Sequence, residues 1–189
     1  NLRFGSGYRV ADLKTHFRFE REGSFQQGVE LCSGVGHCRK KLVGTMCPSY
    51  MATLDEQHST RGRANALRRA LSSATPDALT TPEVQQAMDL CLACKACKAE
   101  CPSSVDMAKF KYEFLAHYGE RHGYSLRARL FAHVRTLSRM ASKAAPLVNM
   151  ISRNRLNRWL LDRFLGIDRR RPLPSFARTP FSRWFNKRS

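Results

Sequence analysis

Four of the seven cysteines fall within eleven residues, as Cys91-x2-Cys94-x2-Cys97-x3-Cys101-Pro102. Thiolates at that spacing suit one kind of chemistry, the holding of an iron–sulfur core. A cubane needs sulfur donors from several directions, and three cysteines three residues apart on a tight turn can each reach a different iron. The run matches the bacterial ferredoxin pattern, in which the fourth cysteine, before proline, ligates the other of two clusters. The bland alternative is a four-cysteine zinc site, built from two C-x2-C pairs flanking a longer loop. Four cysteines in eleven residues, closed by proline, fit it poorly.

A two-cluster reading needs an earlier motif, and Cys32, Cys38 and Cys47-Pro48 supply an irregular one. The expected central cysteine falls at Val35, and the gap from Cys38 to Cys47 exceeds three residues. The economical assignment crosses over: Cys91, Cys94, Cys97 and Cys47 hold a first [4Fe–4S] cluster. Cys32, Cys38 and Cys101 then remain with one vertex unfilled. Three thiolates suit a [3Fe–4S] cluster, a [4Fe–4S] cluster with a foreign fourth ligand, or no cluster. His37 is a candidate ligand, although a histidine beside a cysteine in a glycine turn is more often simply exposed. Lys95 and Lys98 sit between the cysteines, where positive charge would ease reduction of an anionic core; as loop lysines they equally suit solvent.

Helical spacing dominates the elements that must position these thiols. Ser24 can cap a short helix with Phe25, Val29 and Cys32 on one face. Thr60 reads as the cap of a helix through Leu71, with Ala64, Leu67 and Leu71 on one side, and residues 72–80 read as a polar loop. Thr81-Pro82-Glu83 is a helix start, and Val84, Ala87, Met88 and Cys91 share a face, so that helix should deliver Cys91 directly. Asp106 should cap a helix burying Met107, Phe110, Phe114 and Tyr118. One helix is expected over 125–143 and another over 156–165, ended by Gly166. From Ile167 onward, Pro172, Pro174 and Pro180 argue against regular structure. The class is all-α, an alpha-helical ferredoxin-like domain at 24–120. A linker or docking arm covers 1–23, a helical extension 121–166, and a basic, proline-containing tail 167–189.

The chain of 189 residues carries a net charge of +18, but unevenly. Residues 121–189 hold 17 Lys and Arg against Asp162 and Asp168, a net +15, leaving +3 for the cysteine region. An odd cysteine count clustered in one motif argues against a disulfide framework and for metal in a reducing compartment. No apolar run approaches the roughly 18 residues of a membrane span, and nothing resembles a secretory signal. The cytoplasm is the expected location, with the inner face of the membrane a second setting for so basic a segment. A start at Asn1 reads as a piece of something longer.

The stretches 32–40, 44–53, 58–64, 89–102 and 166–171 together resemble the iron–sulfur segment of large FAD-linked oxidases acting on D-2-hydroxy acids. D-2-hydroxyglutarate and D-lactate dehydrogenases and the iron–sulfur subunit of glycolate oxidase are relatives in that family. The resemblance implies a flavin domain carrying FAD upstream and cysteine-rich CCG repeats downstream in the same polypeptide. It also implies that Val35 is family design, and that the segment forwards electrons singly to a quinone, flavoprotein or cytochrome. No catalytic acid or base stands out in the segment. Arg61 and Arg63 could grip a flavin domain or a carboxylate, but arginines opening a helix are more commonly at the surface.

Two other readings compete. The basic tail, with Trp159, Phe176, Phe181, Trp184 and Phe185 among its arginines, is compatible with nucleic acid. It lacks a recognition motif, however, and docking on an acidic domain or an anionic membrane surface explains the charge equally well; no nucleic acid is expected. The other is a cluster that only staples a scaffold between catalytic domains.

Overall fold

The computed structural model describes residues 6–9, 12–73 and 75–188. The start of the expected arm (residues 1–5, with positions 10 and 11), position 74 of the expected loop and the last residue of the tail lie outside them. Every regular element among the described residues is helical, so the chain is all-α. It divides into two compact units, one reaching to Gly123 and the other beginning at Tyr124.

Local signals set the helices of the first unit. Helix α1 (Phe25–Glu30) starts where the Ser24 hydroxyl accepts the amide of Gln27. Helix α2 (Pro48–Thr53) opens on a proline, whose missing N–H costs nothing there. Helix α3 (Thr60–Leu71) is capped by Ser59 rather than Thr60, the hydroxyl accepting from Gly62 at 2.9 Å. Helix α4 (Pro82–Asp89) ends before Cys91, which therefore begins a loop instead of riding on the helix. A short α5 (Ala96–Glu100) follows. The Asp106 carboxylate caps α6 (Met107–His122) by accepting from Lys109 at 3.1 Å. The expected loop at 72–80 contains a 3-10 turn over Pro76–Thr80.

Helix α3 packs against both α1 and α4, while α6 lies on the Pro76–Thr80 turn. Phe25 and Val29, Leu67 and Leu71, Val84 and Met88, and Phe110 and Phe114 meet in one core. Burial of each such side chain contributes about 1.5–3 kcal/mol. A second turn, Glu56–His58, presses on the start of α3 so closely that a Cβ at Gly62 would sit 2.0 Å from the Glu56 carbonyl oxygen. Only glycine fits there.

The arm before α1 is fastened rather than loose. The fully buried Glu113 carboxylate on α6 accepts the backbone amides of His16 and Phe17, each at 2.9 Å. His117 adds a contact to the same carboxylate at 3.0 Å. Lys109 pairs with Glu22 at 3.2 Å and lies 4.0 Å above the Phe19 ring.

The second unit contains α7 (Leu126–Ala132), α8 (Val134–Lys143), α9 (Ala145–Arg153), α10 (Arg155–Leu165) and α11 (Phe181–Asn186). The single helix expected over 125–143 is divided at His133 (φ −97, ψ 14), although its amide still reaches Arg129 and its carbonyl still accepts from Leu137. Helix α9 was not expected, and it begins with proline in its first turn. The tail also departs from expectation: Pro180 initiates α11, because proline is barred from helix interiors but not from their starts. Ala145 is the one buried side chain among the described residues of this unit. No helix among the described residues is long and apolar enough to cross a membrane.

Replacing Glu113 with alanine should loosen the arm and cost about 1–3 kcal/mol. Urea unfolding would read the cost, and faster hydrogen exchange at the amides of His16 and Phe17 would locate it. The Asp106 cap should show in the pH dependence of stability. Burial opposes its charge, but the Lys98 ammonium and the Lys109 amide outweigh burial and hold its carboxyl below the usual range. Its contribution is therefore complete above the ordinary aspartate value near 4 and lost as pH falls through the depressed native value. Asp106→Asn should flatten that acid limb.

Candidate metal centres

The seven cysteines line two separate concavities in the first unit. One is walled by Cys47, Cys91, Cys94 and Cys97, with Thr60 and Arg63 from α3. The other is walled by Cys32, Cys38 and Cys101, with Thr60 and Arg61. Cys47 thus lies with the cysteines of the 91–97 loop, and Cys101 with the early pair. Thr60 contributes to both walls.

Backbone conformation makes the first concavity. Ala93 (φ 51) and Lys95 (φ 62) adopt the left-handed region, which turns the loop twice within five residues and brings Cys91, Cys94 and Cys97 around one hollow. Non-glycine residues held that way cost on the order of 1 kcal/mol each, a strain found where a loop must wrap a ligand. In the second, Gly36 (φ 78) supplies the turn between Cys32 and Cys38. Val35 borders that hollow with 70% of its surface exposed, and His37 borders it half-buried.

The donor sets fit an inorganic core larger than a single ion. A tetrahedral zinc with sulfurs at 2.3 Å needs them about 3.8 Å apart. Among the described residues, no three cysteine sulfurs lie within 4.8 Å of one another; only the donor atoms of His16, Glu113 and His117 do. Both oxygens of that Glu113 already bind the arm's amides, so this trio is a clamp. Four thiols spread around a hollow, with no acid or base among them, suit a cluster whose irons are spread likewise.

The surroundings differ sharply between the thiols. Burial pushes Cys97 up to about 11 against the opposing amides of Met107 and Ala108, and burial also raises Cys38. Both must lose a proton to bind metal. Cys47 goes the other way. Burial opposes its ionisation, but the Ser49 hydroxyl and the Arg63 guanidinium outweigh burial and hold it below the ordinary thiol value. Arg63, expected at the surface, is fully buried. Its Nη1 reaches Cys47 Sγ at 3.4 Å and the His58 carbonyl at 2.6 Å, its Nη2 the Ser49 hydroxyl at 2.9 Å, and its Nε the Ala87 carbonyl at 2.8 Å. The sequence does carry a signal, since position 63 precedes Leu67 by four residues and so shares its buried face.

Arg61 borders the other hollow. Its amide donates to Cys38 Sγ at 3.4 Å, while its side chain pairs with Glu56 at 2.7 Å and reaches the Gly34 carbonyl at 3.1 Å. Lys98 pairs with Asp106 at 2.9 Å rather than only facing solvent. Lys111 donates to the Cys91 carbonyl at 2.6 Å and the Asp89 carbonyl at 3.2 Å, pinning the loop's start to α6.

Ser49→Ala should raise the Cys47 thiol toward its ordinary value, seen as a shift to higher pH in the alkylation profile of cluster-free chain. It would also strand a buried guanidinium donor, costing about 1–3 kcal/mol in urea unfolding.

Comparison with known proteins agrees with this chemistry. Residues 31–106 match the family described as 4Fe-4S dicluster domain. The chain is 28% identical to the D-2-hydroxyglutarate dehydrogenase of Escherichia coli (strain K12), over 75% of this chain and 17% of that protein. It is 32% identical to the protein of that name from Pseudomonas putida, over 51% of this chain and 13% of that protein. It is 35% identical to the probable glycolate oxidase iron-sulfur subunit of Bacillus subtilis, over 40% of this chain and 17% of that protein. The chain thus spans about one sixth of the length of these relatives. No solved structure matches it. Residues 31–106 thus match an iron–sulfur domain of the 4Fe-4S dicluster kind, and the chain is an electron-transfer module built around that segment.

Proposed function

We propose that this chain is the electron-transfer segment of an FAD-dependent D-2-hydroxy-acid dehydrogenase, of the D-2-hydroxyglutarate or D-lactate type. Cys47, Cys91, Cys94 and Cys97 hold one [4Fe–4S] cluster, and Cys32, Cys38 and Cys101 hold a second centre with three thiolates. The observation that carries the reading is the exchange of Cys47 and Cys101 between the two hollows, which divides seven thiols into one set of four and one of three. The names of the relatives, two of them D-2-hydroxyglutarate dehydrogenases, support the enzyme class.

An iron–sulfur cluster, when bound, stores and passes single electrons. The protein's own residues hold it, keep water from the buried sulfurs and set the local charge. Cys38, Cys47 and Cys97 are buried, whereas Cys94 is exposed, so the rim at Cys94 is the accessible edge of the first hollow. A flavin domain of the same polypeptide donates the electrons, and a CCG-repeat domain, quinone, flavoprotein or cytochrome lies on the accepting side. The basic second unit suits contact with an acidic domain or an anionic membrane surface.

Anaerobic purification with iron and sulfide counts and low-temperature EPR tests this. About seven irons per chain indicate a [3Fe–4S] second centre, and about eight a [4Fe–4S] centre with a non-thiolate ligand. About four would overturn the second centre. Zinc without sulfide would overturn both. Cys94→Ser or Cys97→Ser should abolish the first centre, and Cys32→Ser only the second. In the whole enzyme, adding the hydroxy acid should reduce the clusters; silence during turnover would leave them a structural role.

A further inference from the structure

We propose that Arg63 is a potential-setting residue, whose buried charge selectively favours the reduced form of the centre at Cys47, Cys91, Cys94 and Cys97. This rests on the cluster assignment above and adds a specific electrostatic role to it.

Charge around Arg63 is unbalanced. Arg63 has no surface exposure, and its guanidinium meets two carbonyl oxygens, one hydroxyl and the Cys47 sulfur. Among the described residues no carboxylate forms an ion pair with it; Glu56 pairs instead with Arg39 and Arg61, Asp106 pairs with Lys98, and the Asp89 carboxylate acts on Lys111. A guanidinium does not surrender its proton in a protein, so a whole positive charge stays in the interior. A buried, unpaired cation is strongly unfavourable. The anionic ligand it touches is the Cys47 sulfur.

The equilibrium concerned is the gain of one electron from an external reductant, with no bond made or broken. That electron makes a thiolate-bound core more negative. A fixed cation hydrogen-bonded to one ligand sulfur, in a medium that screens weakly, stabilises the reduced form more than the oxidised one. Lys111, held against the Cys91 carbonyl, lies on the same side, with its charge partly offset by the Asp89 carboxylate. The second hollow is arranged differently. Arg61 and Arg39 share the Glu56 carboxylate, at 2.7 and 2.9 Å, and all three side chains are partly exposed, so that charge is both offset and screened. Arg63, in contact with the Cys47 sulfur alone, therefore acts more strongly on the first centre than on the second.

Dithionite titration of the full chain, followed by low-temperature EPR, tests this with Arg63→Gln and Arg63→Lys. The signal of interest is the one lost in Cys94→Ser; the signal lost in Cys32→Ser is the internal control. For the first signal, Arg63→Gln should lower the reduced-to-oxidised ratio at fixed potential tenfold or more, equivalent to about 59 mV for a one-electron couple. Arg63→Lys should fall between that variant and the unaltered chain, and the control should move less than the first signal. An unchanged ratio in Arg63→Gln, with iron and sulfide at the unaltered level, overturns the proposal. So does loss of the centre from both variants, which would make Arg63 a folding residue. If only Arg63→Gln loses the centre, Arg63→Lys decides: a displaced charge that leaves the ratio unchanged overturns the proposal, and a lowered ratio sustains it. An unaltered chain without acid-labile sulfide is a different result, and removes the cluster assignment itself.

Discussion

One planar group holds the cysteine-bearing segments in register. Through its three nitrogens, Arg63 joins the Cys47 sulfur and Ser49 hydroxyl at the start of α2, the His58 carbonyl before α3, and the Ala87 carbonyl late in α4. The Ser49 hydroxyl already ties the start of α2 to the His58 carbonyl at 2.9 Å, and the guanidinium joins that pair to α4. Apolar packing is non-directional; a guanidinium fork is not. The core supplies the stability of this unit, and the fork fixes the direction from which the Cys47 sulfur is met.

Helix α3 is the element through which this order is imposed. Its first turn supplies Thr60 to both hollows, the Arg61 amide to Cys38, and the Arg63 side chain to Cys47. Its positive dipole end points the same way, which suits anionic neighbours. The missing Cβ at Gly62 lets that turn sit against Glu56–His58, and the Ser59 cap fixes where it begins. Cap, close approach and charge thus converge on five consecutive residues, Ser59 to Arg63.

What could be read from the sequence was what is local. The starts at Ser24, Thr81-Pro82 and Asp106 are announced by caps and prolines within a few residues, and the run from Cys91 to Pro102 announces a cluster by spacing alone. The all-α class follows from the same periodicities. What escaped was non-local or contrary to type. Arginine is seldom fully buried, so Arg63 looked like a surface residue despite standing four positions before Leu67. Glu113 and the His16 amide are 97 residues apart, and no spacing links them. Prolines at 146 and 180 count against helix in a composition scan, yet in the first turn and just before it they begin α9 and α11.

The exchange of one cysteine in each direction has a consequence for how the protein comes into being. Cys32 and Cys38 leave the ribosome early but wait for Cys101, and Cys47 waits for Cys91, Cys94 and Cys97. A nascent chain therefore exposes three unattached thiols for more than forty residues of synthesis, and neither hollow has all its walls until the final loop emerges. On the proposed assignment, cofactor delivery follows the emergence of that loop, and in the interval those thiols need shelter from oxygen and stray metal.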